Sequence, residues 1–199
     1  MPLYLVDGPT TPALSLGDAK DYLRVEHDEE DNTIADCIAA AERNIDGRDG
    51  WLGRALVSQT WELRLAEFCG AEIAIPLPPL IEVVSAQYYD AGNVLQTLSS
   101  DVYEVVGVGG FGKARVVLKH GQRWPATFPR AEAIIIRFRA GYVDTGGSPA
   151  SGEVPAPIIT ALKRQVSTMY EHRETVVLGD VVRKLPGAVE ALLAPYRVW

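Results

Sequence analysis

Residues 72–106, EIAIPLPPLIEVVSAQYYDAGNVLQTLSSDVYEVV, decide the fold. Short runs rich in β-branched and aromatic residues are separated by prolines and by the turn signal "DAGN" (Asp90–Asn93). They read as a strand, a proline-marked crossover, a second strand, a turn and two further short strands. Upstream, "SQTWELRLAEF" alternates, with Trp61, Leu63 and Leu65 on one face and Glu62 and Arg64 on the other. Downstream, "ARVVLKHG" and "EAIIIRFRAGYV" add two more strands. Short strands at this spacing predict an antiparallel sandwich or barrel-like module of about six to eight strands.

Working outward, the period changes on both sides. "SLGDAKDYLRV" opens with Ser15 and, three residues on, Asp18, close to a capping box, with Ala19, Tyr22 and Leu23 as its apolar stripe. "NTIADCIAAAERNIDGRDG" repeats Ile34, Ile38, Ala41 and Ile45 at helical spacing, and Gly47 and Gly50 suit its end. Helical period returns at "PAPIITALKRQVSTMYEHRE", where Ile158, Leu162, Val166 and Met169 share a face. "GAVEALLAP" then places Val189, Leu192 and Leu193 on one side. The fold class is therefore α+β: a small helical bundle from both ends of the chain with an inserted antiparallel module. The divisions expected are 1–54 (helices), 55–143 (β module), 144–155 (a Gly/Ser/Pro loop) and 156–199 (helices and tail), the helical parts packing together.

The net charge is −7 and unevenly spread: residues 1–50 hold 4 basic and 12 acidic residues, whereas residues 160–199 hold 6 and 4. An acidic chain without a dense Lys/Arg stripe does not grip nucleic acid by phosphate neutralisation. No apolar run is long enough for a bilayer and the opening residues lack a signal-peptide pattern, so a soluble, cytoplasmically made chain without membrane partners is expected. Cys37 and Cys69 have no metal-ligand spacing.

Motifs that point to chemistry fail on inspection. "GVGGFGKA" (Gly107–Ala114) matches seven positions of a phosphate loop, but Ala114 stands where a Ser or Thr should hold Mg²⁺, and a strand follows instead of a helix. Glu26–Asp31 lacks the glycine of a calcium loop, since Thr33 occupies that place. His27, His120 and His172 are scattered, and no carboxylate pair stands out for acid–base work. Neither catalytic residue, cofactor nor metal is expected.

The segment "AVEALLAPYRVW" remains. Pro195 is expected to stop the last helix and send Tyr196–Trp199 out extended. Trp, Tyr and Arg are the types most enriched among interface anchors. Leu192, Leu193, Tyr196, Arg197, Val198 and Trp199 are thus candidate partner contacts, against the alternative that the tail caps the protein's own core. The small-residue loops at Gly107, Gly109, Gly110 and Gly112, and at Gly146 and Gly147, are candidates for adaptable contacts.

In chain order, "LSLGDAKDYLRVEHDEEDNTIADCIAAAERNI", "ALVSQTWELRL", "IPLPPLIEVVSAQYYDAGNVLQTLSSDVYEV", "RWPATFPRAEAIIIRFRAGY", "VPAPIITALKRQVSTMYEHRE" and "LPGAVEALLAPYRVW" cover nearly the whole chain. This ordered set resembles the head–tail connector (adaptor) proteins of tailed bacteriophages and of phage-derived gene transfer agents. The resemblance implies a structural protein of the particle neck, present in the bacterial host cytoplasm before assembly. It implies a homo-oligomeric ring, a dodecamer, between the portal and the stopper, tail-terminator or other tail proteins, through which DNA passes without sequence-specific binding. It also implies that the tail residues engage the portal. Two alternatives stand beside it: another neck or tail-completion interaction protein, and a carboxylate-dependent hydrolase.

Overall fold

A computed structural model describes residues 2–142, 153–172 and 187–198. The chain divides into two compact units, Met1–Thr10 with Arg54–Glu153, and Thr11–Gly53 with Val154–Trp199.

The first unit is built from eight strands: β1 (Leu3–Asp7), β2 (Gln59–Leu65), β3 (Glu72–Ile75), β4 (Leu80–Tyr89), β5 (Leu95–Thr97), β6 (Tyr103–Val106), β7 (Ala114–Leu118) and β8 (Ile134–Ala140). They form a five-stranded sheet, ordered β1-β2-β8-β4-β5, and a three-stranded sheet, β3-β7-β6. Every ladder between these strands is antiparallel, and neither sheet closes into a barrel among the described residues. The stretch 72–106 explains the two layers. β3 lies in the small sheet, the proline crossover carries the chain to β4 and β5 in the large one, and β6 returns it to the small one. Pro78–Pro79 is a cis peptide within that crossover.

Alternation then makes one core. β8 is paired on both sides, and its Ile134, Ile136 and Phe138 point into the same cluster as Trp61 and Leu63 of β2 and Ile73, Ile75 and Val116 of the small sheet. β1 was not anticipated from the sequence, where residues 1–54 read as helical. "LYLVD" is strand because it pairs with β2, Leu3 opposite Leu63 and Tyr4 opposite Glu62, a partner some sixty residues away.

The second unit contains α1 (Leu16–Leu23), α2 (Asp31–Ile45), α3 (Ala156–Glu171) and α4 (Gly187–Leu193), with a 3-10 turn at Ala194–Tyr196. α1 starts as its sequence indicates: the Ser15 hydroxyl accepts from the Asp18 N–H at 3.1 Å and donates to the Asp18 carboxylate at 2.6 Å. Ile34, Ile38, Ala41 and Ile45 of α2 and Ile158, Leu162 and Val166 of α3 are buried. Met169 is only half-buried and Tyr22 is 46% exposed, so neither completes its predicted stripe. The acidic run folds as a helix start: Lys20 Nζ lies 2.6 Å from Asp28 and 2.7 Å from Asp31, and the Tyr170 hydroxyl donates to Glu30.

Candidate functional site

The tail segment belongs to the helical unit. Two carbonyls in the last turn of α2 are satisfied from a distance, because Trp51 N–H donates to Asn44 O (2.9 Å) and Leu52 N–H to Ile45 O (3.2 Å). Gly50 makes this return possible: a Cβ there would lie 2.2 Å from the Asp46 carbonyl. The result is a ledge of Trp51, Leu52 and Gly53. On it, Val198 N–H donates to Leu52 O at 2.9 Å, and the Arg197 guanidinium stands 4.5 Å from the centroid of the Trp51 ring.

Three expectations for this segment are thereby corrected. Pro195 does not release an extended tail at once, since Ala194–Tyr196 form a 3-10 turn before Arg197 turns extended (φ −69°, ψ 137°). Leu193 is 0% exposed, a core residue of its own unit and no surface anchor. Leu192, Tyr196, Arg197 and Val198 are half-buried on the protomer instead of standing free. Trp199 lies outside the described residues, as do Gly146 and Gly147.

Gly53 sets the distance between tail and ledge. Its φ is +63°, and a Cβ added to it would meet the Val198 carbonyl at 2.9 Å. Gly53→Val places a β-branched residue in left-handed backbone and pushes on that carbonyl, a cost of roughly 1–2 kcal/mol. The expected outcome is faster proteolysis after Arg197 with unchanged far-ultraviolet dichroism. Unchanged protection would mean that the ledge does not hold the tail.

The second candidate, the loop from Gly107 to Gly112, joins β6 to β7 in the β unit, and a strand follows it, as the failed phosphate-loop match requires. Gly107 and Gly109 adopt positive φ (86° and 68°), which a side chain would strain. Gly109 N–H donates to Leu80 O at 2.8 Å, and Gly110 N–H to Gly107 O at 3.1 Å. The loop is also held from beneath by Arg54, which is 0% exposed. Its Nη2 donates to Phe111 O (2.9 Å), its Nη1 to the Tyr142 hydroxyl (3.3 Å), and its guanidinium lies 4.5 Å from the Phe111 ring centroid. The small residues thus serve a pinned turn more than a slack one, with Phe111 displayed at 56% exposure and open space at the Cβ position of Gly112. Nothing in the sequence singles out Arg54. A lone arginine beside a glycine and an apolar stretch carries no pattern that announces its burial.

The solvent side of the five-stranded sheet carries a charge network. Glu62 accepts from Arg137 (2.6 Å) and Arg64 (2.9 Å), and Arg64 also reaches Glu132 (2.8 Å), which accepts from the Tyr4 hydroxyl (2.7 Å). Burial pushes the Glu62 carboxyl up, but the hydrogen bonds from Arg137 and Arg64 outweigh it and hold the group below its ordinary range. Arg64 and Tyr4 lower Glu132 in the same direction. Depressed carboxyl values stabilise the fold above the unfolded value of about 4.3 and cease to do so as pH falls through the folded values. Urea midpoints should therefore drop between about pH 5 and 3. Glu62→Gln should flatten that drop; an unaltered acid limb would show that the network contributes nothing.

Among the described residues no group of three His, Cys, Asp or Glu is placed to hold a metal ion, and no helix is long and apolar enough to cross a membrane.

The sequence matches no family model and no curated protein. Solved structures do share the fold. A chain in the neck of an empty GTA particle computed with C6 symmetry superposes with a TM-score of 0.75 at 22% identity, covering 100% of this chain and 96% of that one. A chain in the virion of a native gene transfer agent (GTA) particle gives 0.69 at 21% identity, with the same coverage. A chain in the neck of a native GTA particle computed with C12 symmetry gives 0.66 at 20%, again with 100% and 96% covered. The α+β plan of this chain is thus the fold of chains found in these particles.

Proposed function

We propose that the protein is a structural component of the neck of a phage-like particle, the adaptor that joins portal to stopper or tail. The observation that carries this reading is the whole-chain likeness to chains of GTA necks, at a TM-score of 0.75 with both units aligned. The sixfold and twelvefold symmetries of those necks support a cyclic ring, in which each copy presents one surface to a different surface of the next. A ring leaves an axial channel, and an acidic protein of net charge −7 suits a conduit that must let a polyanion pass without binding its sequence. The work is assembly, not catalysis.

In this reading the half-buried strip Leu192, Tyr196, Arg197 and Val198 is the contact for the portal. A backbone hydrogen bond and a cation–π contact hold it on the Trp51–Gly53 ledge, so it reaches a partner already shaped. Trp199, the next residue in the sequence, is assigned to the same contact.

Deleting the gene in a strain that makes the particles tests the reading. The expected result is DNA-filled heads without tails, restored by the full chain and not by a chain truncated after Ala194. Normal tailed particles after deletion would overturn the adaptor role. Restoration by the truncated chain would overturn the assignment of the contact while leaving the role intact.

A further inference from the structure

Both units are acidic, but each contains one stretch of concentrated charge, and the two stretches are of opposite sign. Residues 11–53 hold eleven Asp and Glu against four Lys and Arg. Between Glu104 and Glu132 there is no acidic residue, while Lys113, Arg115, Lys119, Arg123 and Arg130 are basic and His120 is among them. On an acidic chain of net −7, such a run is a local reversal.

Geometry concentrates that reversal at one turn. Gln122 N–H donates to Lys119 O (3.0 Å) and Gly121 has φ +77°, so β7 ends in a tight turn from which Lys119, His120 and Arg123 all project into solvent. Its neighbours use up little of this charge. Glu72 pairs with Arg115 at 3.1 Å, and Arg130 lies 3.9 Å over the Tyr89 ring. Lys119 Nζ donates to Ser100 O, a neutral acceptor, at 2.8 Å, and Asp101 accepts from the Ser99 hydroxyl at 3.2 Å. Arg123 and His120 have no hydrogen-bond or ion-pair partner among the described residues.

The helical unit offers the complement. The connection from α1 to α2 exposes Glu26, Asp28 and Glu29, with Asp28 and Glu29 side chains 88% and 89% exposed. Lys20 compensates Asp28, and His27 approaches Glu29 at 3.7 Å, leaving Glu26 without an ion-pair partner among the described residues.

We propose that the Lys119–Arg123 turn of one copy docks against the Glu26–Glu29 connection of a second copy of this chain, one head-to-tail contact of the ring. The inference rests on the ring reading above and adds to it the two surfaces that meet. Charge complementarity selects a second copy over the DNA as occupant. The positive turn lies on a sheet that also carries Glu72 and Glu104, a mixed surface that fits a mixed protein surface better than a run of phosphates.

Charge exchange tests it in particle-producing cells. All four positions are exposed, so Lys119→Glu with Arg123→Glu, and Glu26→Lys with Glu29→Lys, should each leave the melting curve of the purified protein unchanged. Each double variant should be incorporated into particle necks at least about tenfold less than wild type, because like charges then face each other. The quadruple variant, with both surfaces exchanged, should recover most of that loss. Normal incorporation of either double variant, or no recovery by the quadruple one, would overturn the proposal. So would a Lys119→Glu, Arg123→Glu ring that forms normally but yields particles short of DNA, since the turn would then meet the nucleic acid. Absence of wild-type protein from the necks would instead overturn the ring reading itself.

Discussion

Phe138→Ala should lower the stability of the β unit by about 4 kcal/mol, the usual range for an aromatic residue removed from a packed interior. Phe138 is 0% exposed at the middle of β8, opposite Trp61 on one side and Val83 on the other. Both strands that flank β8 in the large sheet meet this ring as a cross-strand partner. Alanine there removes a large apolar area and leaves a cavity lined by residues already committed to the ladders, which cannot close in without breaking register. Urea unfolding followed by tryptophan fluorescence reads the change, because Trp61 lies directly across. Phe138→Leu, which fills most of the volume, should lose less than half as much. Equal losses for both variants would show that ring shape, not volume, is what the core requires.

The second large effect is at Arg54. Arg54→Ala removes one of the largest fully buried side chains among the described residues and strips a donor from Phe111 O and another from the Tyr142 hydroxyl. Lost packing and the loss of both hydrogen bonds together should destabilise the unit by about 3 kcal/mol. Arg54→Met keeps much of the stem volume while lacking the donors, so it separates the two contributions. The glycine-rich turn should loosen in both variants: hydrogen exchange at Gly109 and Gly110, whose N–H groups donate to Leu80 O and Gly107 O, should accelerate. Retained protection would mean that the glycine hydrogen bonds hold the turn without Arg54.

Where local pattern and packing agree, the sequence is a sufficient guide. Ser15 and Asp18 cap α1 because the signal needs only four residues, and Ile34, Ile38, Ala41 and Ile45 are buried because one helix face has one place to go. The strands from 72 to 106 were legible from their punctuation. β1 was not, since five residues become a strand only through a distant partner. Burial of polar groups was equally hidden. Glu62 sits on the solvent side by alternation, yet it is only 7% exposed because Arg64 and Arg137 close over it. Arg54 is interior because a carbonyl and a hydroxyl converge there from Phe111 and Tyr142.

The tail shows the same limit from the functional side. Residue types alone mark Tyr196 and Arg197 as candidate anchors, but they do not say that Trp51 holds Arg197, and Leu52 holds Val198, on the protomer itself. That docking depends on Gly50 and Gly53, whose missing side chains let the backbone fold close. A glycine in a loop reads the same whether it grants slack or a tight approach.

A cryo-electron microscopy map of the neck of particles carrying this protein decides whether it is the adaptor. The expected map shows a ring of this chain directly below the portal, with Leu192, Tyr196, Arg197 and Val198 of each copy against it. A neck fully built from other chains, with this protein absent from the junction of head and tail, would contradict it.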